Sequence, residues 1–470
     1  MATYWGFQVQ LAVRGFNPAK MISGDGLMAR VLRGSAIVLV GYGARQFLRL
    51  LSNLILTRLL FPEAFGLMAL VAMVEVGLTL FTDMGIGPSI AQSKRGDDPK
   101  FLDTAYSLKV IRGFALWITA CFLAYPASLF FDAPELAYFL PISVFSMVIS
   151  GFVTTRVQTA IRHLKFGMIT LVELAAQVIS LIFMVTLAWY TESVVALVLG
   201  NVVQSTALLL LARHFLEGHR NRLGWEPAAA HELIHFGKWI FVSTLFSFFA
   251  SQGDKLVFGK FLTLHVLGIY NIGYYLGSFP MMLGNELVGR VMIPIYREVR
   301  EKGTSASARR LRYMRYLMTG GLIAMMGALA IAGPALVNLL YDDRYVHAGA
   351  MLVLISLAMM PGAIGMSYDR AALAAGDSRH FFVVSAARGI SGVTFLLIGV
   401  HFWGIVGAIC GIAVAGVVVH PFLIWLAIRH NVWDGEHDTL FAAVVAALAV
   451  GAVWLHLEEI QAMSIAAAAG

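Results

Sequence analysis

The chain has 470 residues, of which 59% are hydrophobic and only 13% charged, and its mean hydropathy is +0.78. Soluble domains carry about 25% charged residues, so this composition excludes an ordinary water-soluble fold and describes an integral membrane protein of many spans. The net charge of +7 is explained by topology signals beside anionic lipid and calls for no nucleic acid.

The N-terminal stretch MATYWGFQVQLAVRGFNPAK lacks an apolar core of signal-peptide length followed by a small-residue cleavage site. Residues 1–30 read as a cytoplasmic tail, with Met21 and Met28 as alternative starts. Apolar runs of about 20 residues mark transmembrane helices. They fall near 35–60, 64–91, 102–125, 136–158, 167–190, 193–213, 236–257, 266–290, 315–340, 349–371, 382–400, 403–427 and 438–456. The closing LEEIQAMSIAAAAG is too short and mixed to span. Cys121 and Cys410 lie in apolar runs and read as small core residues, with no disulfide or metal role.

One side of this arrangement collects SKRGDDPK (93–100), RHLK (162–165), RHFLEGHRNR (213–222) and REVREKGTSASARRLRYMR (297–315), and with them most of the 34 Lys and Arg. The other side offers little more than Arg58, Lys260 and Arg344. The positive-inside rule places the basic side, and the N-terminus with it, in the cytoplasm.

One phrase is written twice. TRLLFPEAFGLMALVAMVEVG (57–77) runs in step with GDKLVFGKFLTLHVLGIYNIGYYLG (253–277) when Gly66 is set over Gly268. Arg58 then falls on Lys260, Leu60 on Leu262 and Phe65 on Leu267. The offset is six spans, and an even offset preserves orientation, so these are parallel repeats about an axis along the membrane normal. The expected architecture is all-α: two six-helix bundles plus an extra C-terminal span. The N lobe covers 31–216, a cytoplasmic linker 217–235, the C lobe 236–430, and a last span and tail 431–470. Pro227 suits the start of a short helix on the membrane surface.

A charge at mid-bilayer costs roughly 2.5–3.5 kcal/mol on insertion scales and usually faces a cavity. Arg45 and Arg49 in GYGARQFLRLLSN share one face of the first span, continued by Asn53. Lys109 and Arg112 lie in the third span, and Arg290 closes the eighth, four residues after Glu286 and in reach of it. These five bases are the candidates for a cationic, substrate-binding cavity, with Arg favoured for its fork geometry toward phosphate. The competing reading pairs Arg45 and Arg49 with Glu75 or Asp83 of the adjacent helix. Glu75, Asp83 and Asp254 are the candidates for ion coupling; the competing reading of Asp254 is a headgroup-level pair with Lys255. TDMGIGPSI (82–90) and GSFPMMLGNELVGRVMIP (277–294) place Gly and Pro at matching points of the two halves, where helices bend.

GYG at 41–43 lacks the rest of a dinucleotide fingerprint, and the chain carries no P-loop and no HExxH spacing. A membrane polymerase or ligase would need a large polar outer loop, and the most polar one, DDRYVHAG (342–349), reads as a solvated turn.

The stretches LTRLLFPEAFGLMALVAMVEVGLTLFTDMGIGPSIAQ (56–92) and GDKLVFGKFLTLHVLGIYNIGYYLGSFP (253–280) resemble the two signature regions of the polysaccharide transporter, or oligosaccharide flippase, family. The likeness spans about residues 28–430. It implies two six-helix lobes around a central cavity in a bacterial inner membrane. It also implies translocation of an undecaprenyl-diphosphate-linked oligosaccharide by alternating access, for exopolysaccharide, capsule or O-antigen. A coupling cation, H+ or Na+, a polysaccharide polymerase and export machinery are the implied partners besides membrane lipid; no cofactor and no covalent chemistry are implied. Arg45, Arg49 and Arg112 match the family's cationic cavity by depth and helix, without a strict motif. Related carriers of the same superfamily are the alternatives: a peptidoglycan-precursor flippase, whose substrate has the same diphosphate, and a multidrug or cation antiporter, whose cavity would be acidic.

Overall fold

A computed structural model describes residues 27–82 and 85–469, apart from the side chains at 27–36, 39, 92, 234–247, 378 and 468–469. Most of the expected tail and Asp83 lie outside the described residues. Every regular element described is a helix. The N lobe holds α1 (Leu27–Leu59), α2 (Pro62–Phe81), α3 (Ile86–Gln92), α4 (Pro99–Phe130), α5 (Leu136–Gly151), α6 (Arg156–Arg162), α7 (Phe166–Thr191) and α8 (Val195–Phe215). The C lobe holds α9 (Pro227–Phe261), α10 (Leu264–Gly277), α11 (Phe279–Lys302), α12 (Ser305–Leu340), α13 (His347–Ile364), α14 (Tyr368–Ala375) and α15 (Ser378–Arg429). Two more helices follow, α16 (Gly435–Leu455) and α17 (Leu457–Ala469).

Among the described residues eight helices are long and apolar enough to cross a membrane, and α5 with α6, bent by 61°, makes a ninth. The chain is a multi-pass membrane protein. α15 contains two of the expected spans. The run doubles back at Trp403 (φ −136, ψ 20) and Gly404 (φ 59, ψ −145). Its two arms meet backbone to backbone: a Cβ at Gly407 would lie 2.3 Å from the Gly399 carbonyl oxygen, and one at Gly411 2.3 Å from that of Phe395.

The repeat is visible in where helices break. The second span of the N lobe stops at Phe81 and resumes at Ile86, after Gly85 in the left-handed region (φ 60). Its counterpart in the C lobe divides at Ser278 into α10 and α11. The fourth span divides likewise, into α5 and α6 in one lobe and α13 and α14 in the other.

Two expectations change. Pro227 opens no separate surface helix. It stands in the first turn of the 35-residue α9, because Ala229 and Leu233 bury against Ile86, Ile90, Phe101 and Leu102 and carry the helix onward. Cys121 and Cys410 are exposed on outer helix faces rather than packed in the core. Leu457–Ala469 forms α17, at 13 residues too short to span, as expected, and its Ile460 and Met463 enter the largest core.

We call the end bearing the Lys/Arg-rich loops the basic face and the other the sparse face. Exposed Tyr125, Tyr138, Trp189, Tyr190, Trp403 and Trp454 ring the sparse end, and Trp225, Tyr313 and Trp433 the basic end. Aromatic rings gather in this way at the two membrane–water interfaces.

The two lobes meet near the sparse face through the repeated phrase itself. A Cβ at Gly66 would lie 2.0 Å from the Leu264 carbonyl oxygen, and a Cβ at Gly268 would lie 1.9 Å from that of Pro62. Glu63 and His265, at the same separation of 202, pair at 2.8 Å. Equivalent residues that touch each other lie on the pseudo-two-fold axis. One large core, including Leu60, Leu70, Phe258, Tyr270 and Tyr345, spans both lobes at this end. Toward the basic face the buried residues separate into clusters of their own, such as Val153, Val172 and Ala212 in the N lobe and Val288, Met292 and Met326 in the C lobe.

The linker is fastened to the N lobe. His219 pairs with Asp103 at 2.8 Å, and Ser107 exchanges hydrogen bonds with both backbone groups of Gly224. Arg156 donates to the carbonyls of His219 and Leu216. Asn221 accepts from the Thr154 hydroxyl and the Thr155 N–H and donates to the Thr155 hydroxyl at 2.7 Å. Leaving such buried groups unpaired costs about 1–3 kcal/mol. Asn221→Ala is therefore expected to lower the melting temperature of the purified protein by several degrees, whereas Arg220→Ala leaves it nearly unchanged.

Candidate functional site

Along α1, Tyr42, Arg45, Gln46, Arg49 and Ser52 recur at helical spacing and form one polar stripe. The register of α1 against α7 is set at Gly41, where a Cβ would lie 2.2 Å from the Thr170 methyl carbon. One turn further along these parallel helices, Arg45 meets Glu173 and forms an ion pair with it. Gln177, a turn beyond, donates to the Arg45 carbonyl at 3.1 Å.

The stripe lines a cavity of about 610 Å³, with Gln177 and Ser180 from α7, Asn201 and Gln204 from α8, and Met282 from α11 of the other lobe. Arg49 is exposed to this space. Its guanidinium lies 5.2 Å from the ring centroid of Tyr275, across the lobe junction, and it forms no ion pair among the described residues. Arg45 and Glu173 are paired but not sealed, each side chain about one-third exposed (36% and 33%).

The other candidate bases lie elsewhere. Lys109 donates to the Val153 carbonyl at 2.6 Å and lines a separate cavity of about 190 Å³ with Glu173, Ser150 and Gln158. Arg112 donates to the Thr82 hydroxyl at 3.0 Å and the Thr79 carbonyl at 2.9 Å, which caps the end of α2. Arg290 pairs with Glu286 on its own helix, at 2.7 Å through Nε. Of the five, Arg45 and Arg49 come together in the large cavity.

Among the described residues the partner of Arg45 is Glu173 and not Glu75; Asp83 lies outside them. Glu75 lies beside Ser143 of α5; its Oε1 is buried without a hydrogen-bond partner. Asp254 is buried and accepts from the Tyr270 hydroxyl at 2.8 Å. It does not pair with Lys255, which bonds Gln252 and lies over Tyr274. Asp254 lines a third cavity, of about 350 Å³ in the C lobe, together with Asp369 and Arg388. Those two approach to 3.6 Å. The N-lobe space thus presents bases and neutral amides, and the C-lobe space presents acids with one arginine.

A family profile described as "Polysaccharide biosynthesis protein" matches residues 55–349, more than half of the chain and inclusive of both copies of the repeated phrase. The chain belongs to that family. The lipopolysaccharide biosynthesis protein WzxC of Escherichia coli (strain K12) is 20% identical over 388 residues, 82% of this chain and 77% of WzxC. The teichuronic acid biosynthesis protein TuaB of Bacillus subtilis (strain 168) is 21% identical over 281 residues, 58% of this chain and 57% of TuaB. Among solved structures, lipid II flippase MurJ in an inward closed conformation superposes with a TM-score of 0.64 at 12% identity, over 93% of this chain and 97% of MurJ. That likeness shows the fold.

Reading charges alone missed much of the lining of the large cavity. Gln177 and Ser180 stand at i and i+3 on α7, and Asn201 and Gln204 at i and i+3 on α8. Polar stripes at helical spacing in apolar spans were the available signal. Arg388 and its approach to Asp369 were missed for another reason: they stand on the consecutive helices α14 and α15, and spacing alone does not say how those helices fold against each other.

At the sparse face Arg344 bridges the lobes. Its guanidinium donates to the Thr57, Arg58 and Leu60 carbonyls and to Asp342. These bonds hold the Asp342 carboxyl below its ordinary pKa. A lowered value means that the contribution is complete above the unfolded-state pKa and is lost as pH falls through the folded one. The bridge is therefore insensitive to pH between about 5 and 8 and weakens in stronger acid. Arg344→Ala is expected to raise labelling of a cysteine placed at Thr57 by an impermeant thiol reagent added from the sparse side. Unchanged labelling would show that Arg344 does not hold this end closed.

Proposed function

We propose that this protein translocates an undecaprenyl-diphosphate-linked oligosaccharide across the bacterial inner membrane by alternating access, supplying surface-polysaccharide assembly. The observation that carries this reading is the pair of arginines, Arg45 and Arg49, on one face of α1, lining a polar cavity of about 610 Å³ that the other lobe reaches through Met282. Guanidinium groups match the two-pronged geometry of a diphosphate. The amides and hydroxyls beside them suit sugar hydroxyls. The prenyl chain stays in lipid, so no bond is made or broken and the protein is a carrier rather than an enzyme.

The basic face is cytoplasmic by the positive-inside rule, as is the N-terminus. Lobes joined at the sparse end then make this a conformation closed to the periplasm. The lobes are taken as 31–216 and 236–430, with 217–235 between them, its last part from Pro227 being the first turns of α9, and with 431–470 as an accessory helix pair. The half-buried Glu75 and the buried Asp254, acids outside the arginine cavity, are the groups proposed to take up a coupling H+ or Na+, and Asp83 stands with them by sequence. A polysaccharide polymerase receives the translocated repeat unit.

The direct test is reconstitution in vesicles with a fluorescent undecaprenyl-diphosphate oligosaccharide. Protein-dependent gain of accessibility on the opposite leaflet is expected. Accessibility equal to that of protein-free vesicles, under an imposed proton or sodium gradient, would refute the reading.

A further inference from the structure

An arginine placed to receive a diphosphate is already occupied in this structure. Arg45 faces the large cavity, but its charge is matched by Glu173. Glu173 itself lines the smaller cavity of about 190 Å³ on the other side. The ion pair is thus a partition between two spaces. Beyond it stands Lys109, whose ammonium donates to the Val153 carbonyl and forms no ion pair among the described residues. The same small cavity is lined by Gln158, whose Oε1 is buried without a partner among the described residues. On one side of the partition a base has an acid; on the other a base has none.

We propose that Glu173 is an exchangeable counter-ion that sets how tightly the site holds a diphosphate. In the empty carrier it holds Arg45. When a diphosphate takes Arg45, the carboxylate turns into the small cavity and is received by Lys109. This rests on the reading of the large cavity as the diphosphate site, and it gives Lys109 a role without contact to substrate. A bare arginine would retain any passing anion. With Glu173 present every anion pays the cost of displacing it, and a ligand that also engages Arg49 offsets that cost best. The return of Glu173 to Arg45 then helps release. Coupling of this kind is reciprocal: whatever favours the Glu173–Lys109 pair favours diphosphate binding by the same factor.

The test uses the full-length protein in detergent, with farnesyl diphosphate as the probe and binding read by calorimetry. Glu173→Gln is expected to bind the probe about fivefold tighter, the scale of a partly exposed ion pair. In vesicles it should lower the half-saturating substrate concentration and the maximal rate together. Lys109→Gln alone should weaken binding severalfold, and should change nothing when added to Glu173→Gln, because contacting groups are non-additive. Unchanged or weaker binding by monodisperse Glu173→Gln overturns the proposal. If that variant does not fold, Lys109→Gln decides: binding equal to wild type overturns it. Equal binding of the probe by wild type and Arg45→Ala, or none by either, strikes instead at the large cavity as a diphosphate site.

Discussion

Replacing Arg45 and Arg49 together by alanine is expected to abolish polymer export while the protein remains in the membrane at its normal level. Both side chains line the large cavity, and hydrogen bonds to charged groups contribute about 1.5–3 kcal/mol each. Two such losses reduce transport more than about 100-fold. The fold should survive, because Arg49 is exposed and Arg45 keeps one-third of its side chain in the cavity. Arg290→Ala is the control: its partner is Glu286 on the same helix, and export should continue. Polymer at the cell surface and an immunoblot of the membrane fraction check both statements. Full export by the double variant would remove the cationic site from the mechanism.

Leucine at Gly66 or at Gly268 is expected to prevent the lobes from assembling. At each position the added Cβ falls about 2 Å from a carbonyl oxygen of the partner helix, 2.0 Å at Gly66 and 1.9 Å at Gly268. Backbone cannot yield as a flexible side chain does, so the cost exceeds the roughly 1–3 kcal/mol of ordinary overpacking. The yield of monodisperse protein and its melting temperature should both fall sharply. Alanine at Gly43 or Gly289, where a Cβ meets nothing within 4 Å, should leave both nearly unchanged. A stable Gly66→Leu protein would show that the two helices approach less closely than described.

The repeat was legible because it is carried by residues whose chemistry leaves little choice. Gly66 and Gly268 permit a contact that other residues forbid, and their alignment in sequence becomes a physical contact on the axis. Arg45 and Arg49 were legible because a charge in an apolar run is costly wherever it sits. The roles of Lys109 and Arg112 were not, since depth along a helix says nothing of azimuth, whereas the pairing of Arg290 with Glu286 followed from their spacing of four. Lys109 turns to the Val153 carbonyl and Arg112 to the end of α2. The choice of Glu173 over Glu75 depended on which helix lies beside α1, and that is decided by the close approach at Gly41 and Thr170, a contact between residues 129 positions apart (170 − 41). The running on of α9 from Pro227 was obscured for a related reason. A proline beside polar residues reads as an isolated start until the apolar groove that receives Ala229 and Leu233 is known.

That groove makes α9 a member of both halves. Its first turns bury against Ile86 and Phe101 of the N lobe, while Phe258 near its far end lies in the shared core. Residues 219–226, bonded along the N lobe, offer no slack joint. Any rocking of one half against the other must be spread as bend or twist over the length of this one helix, which then acts as a torsion bar: it stores the elastic energy of the motion and returns it on the reverse stroke.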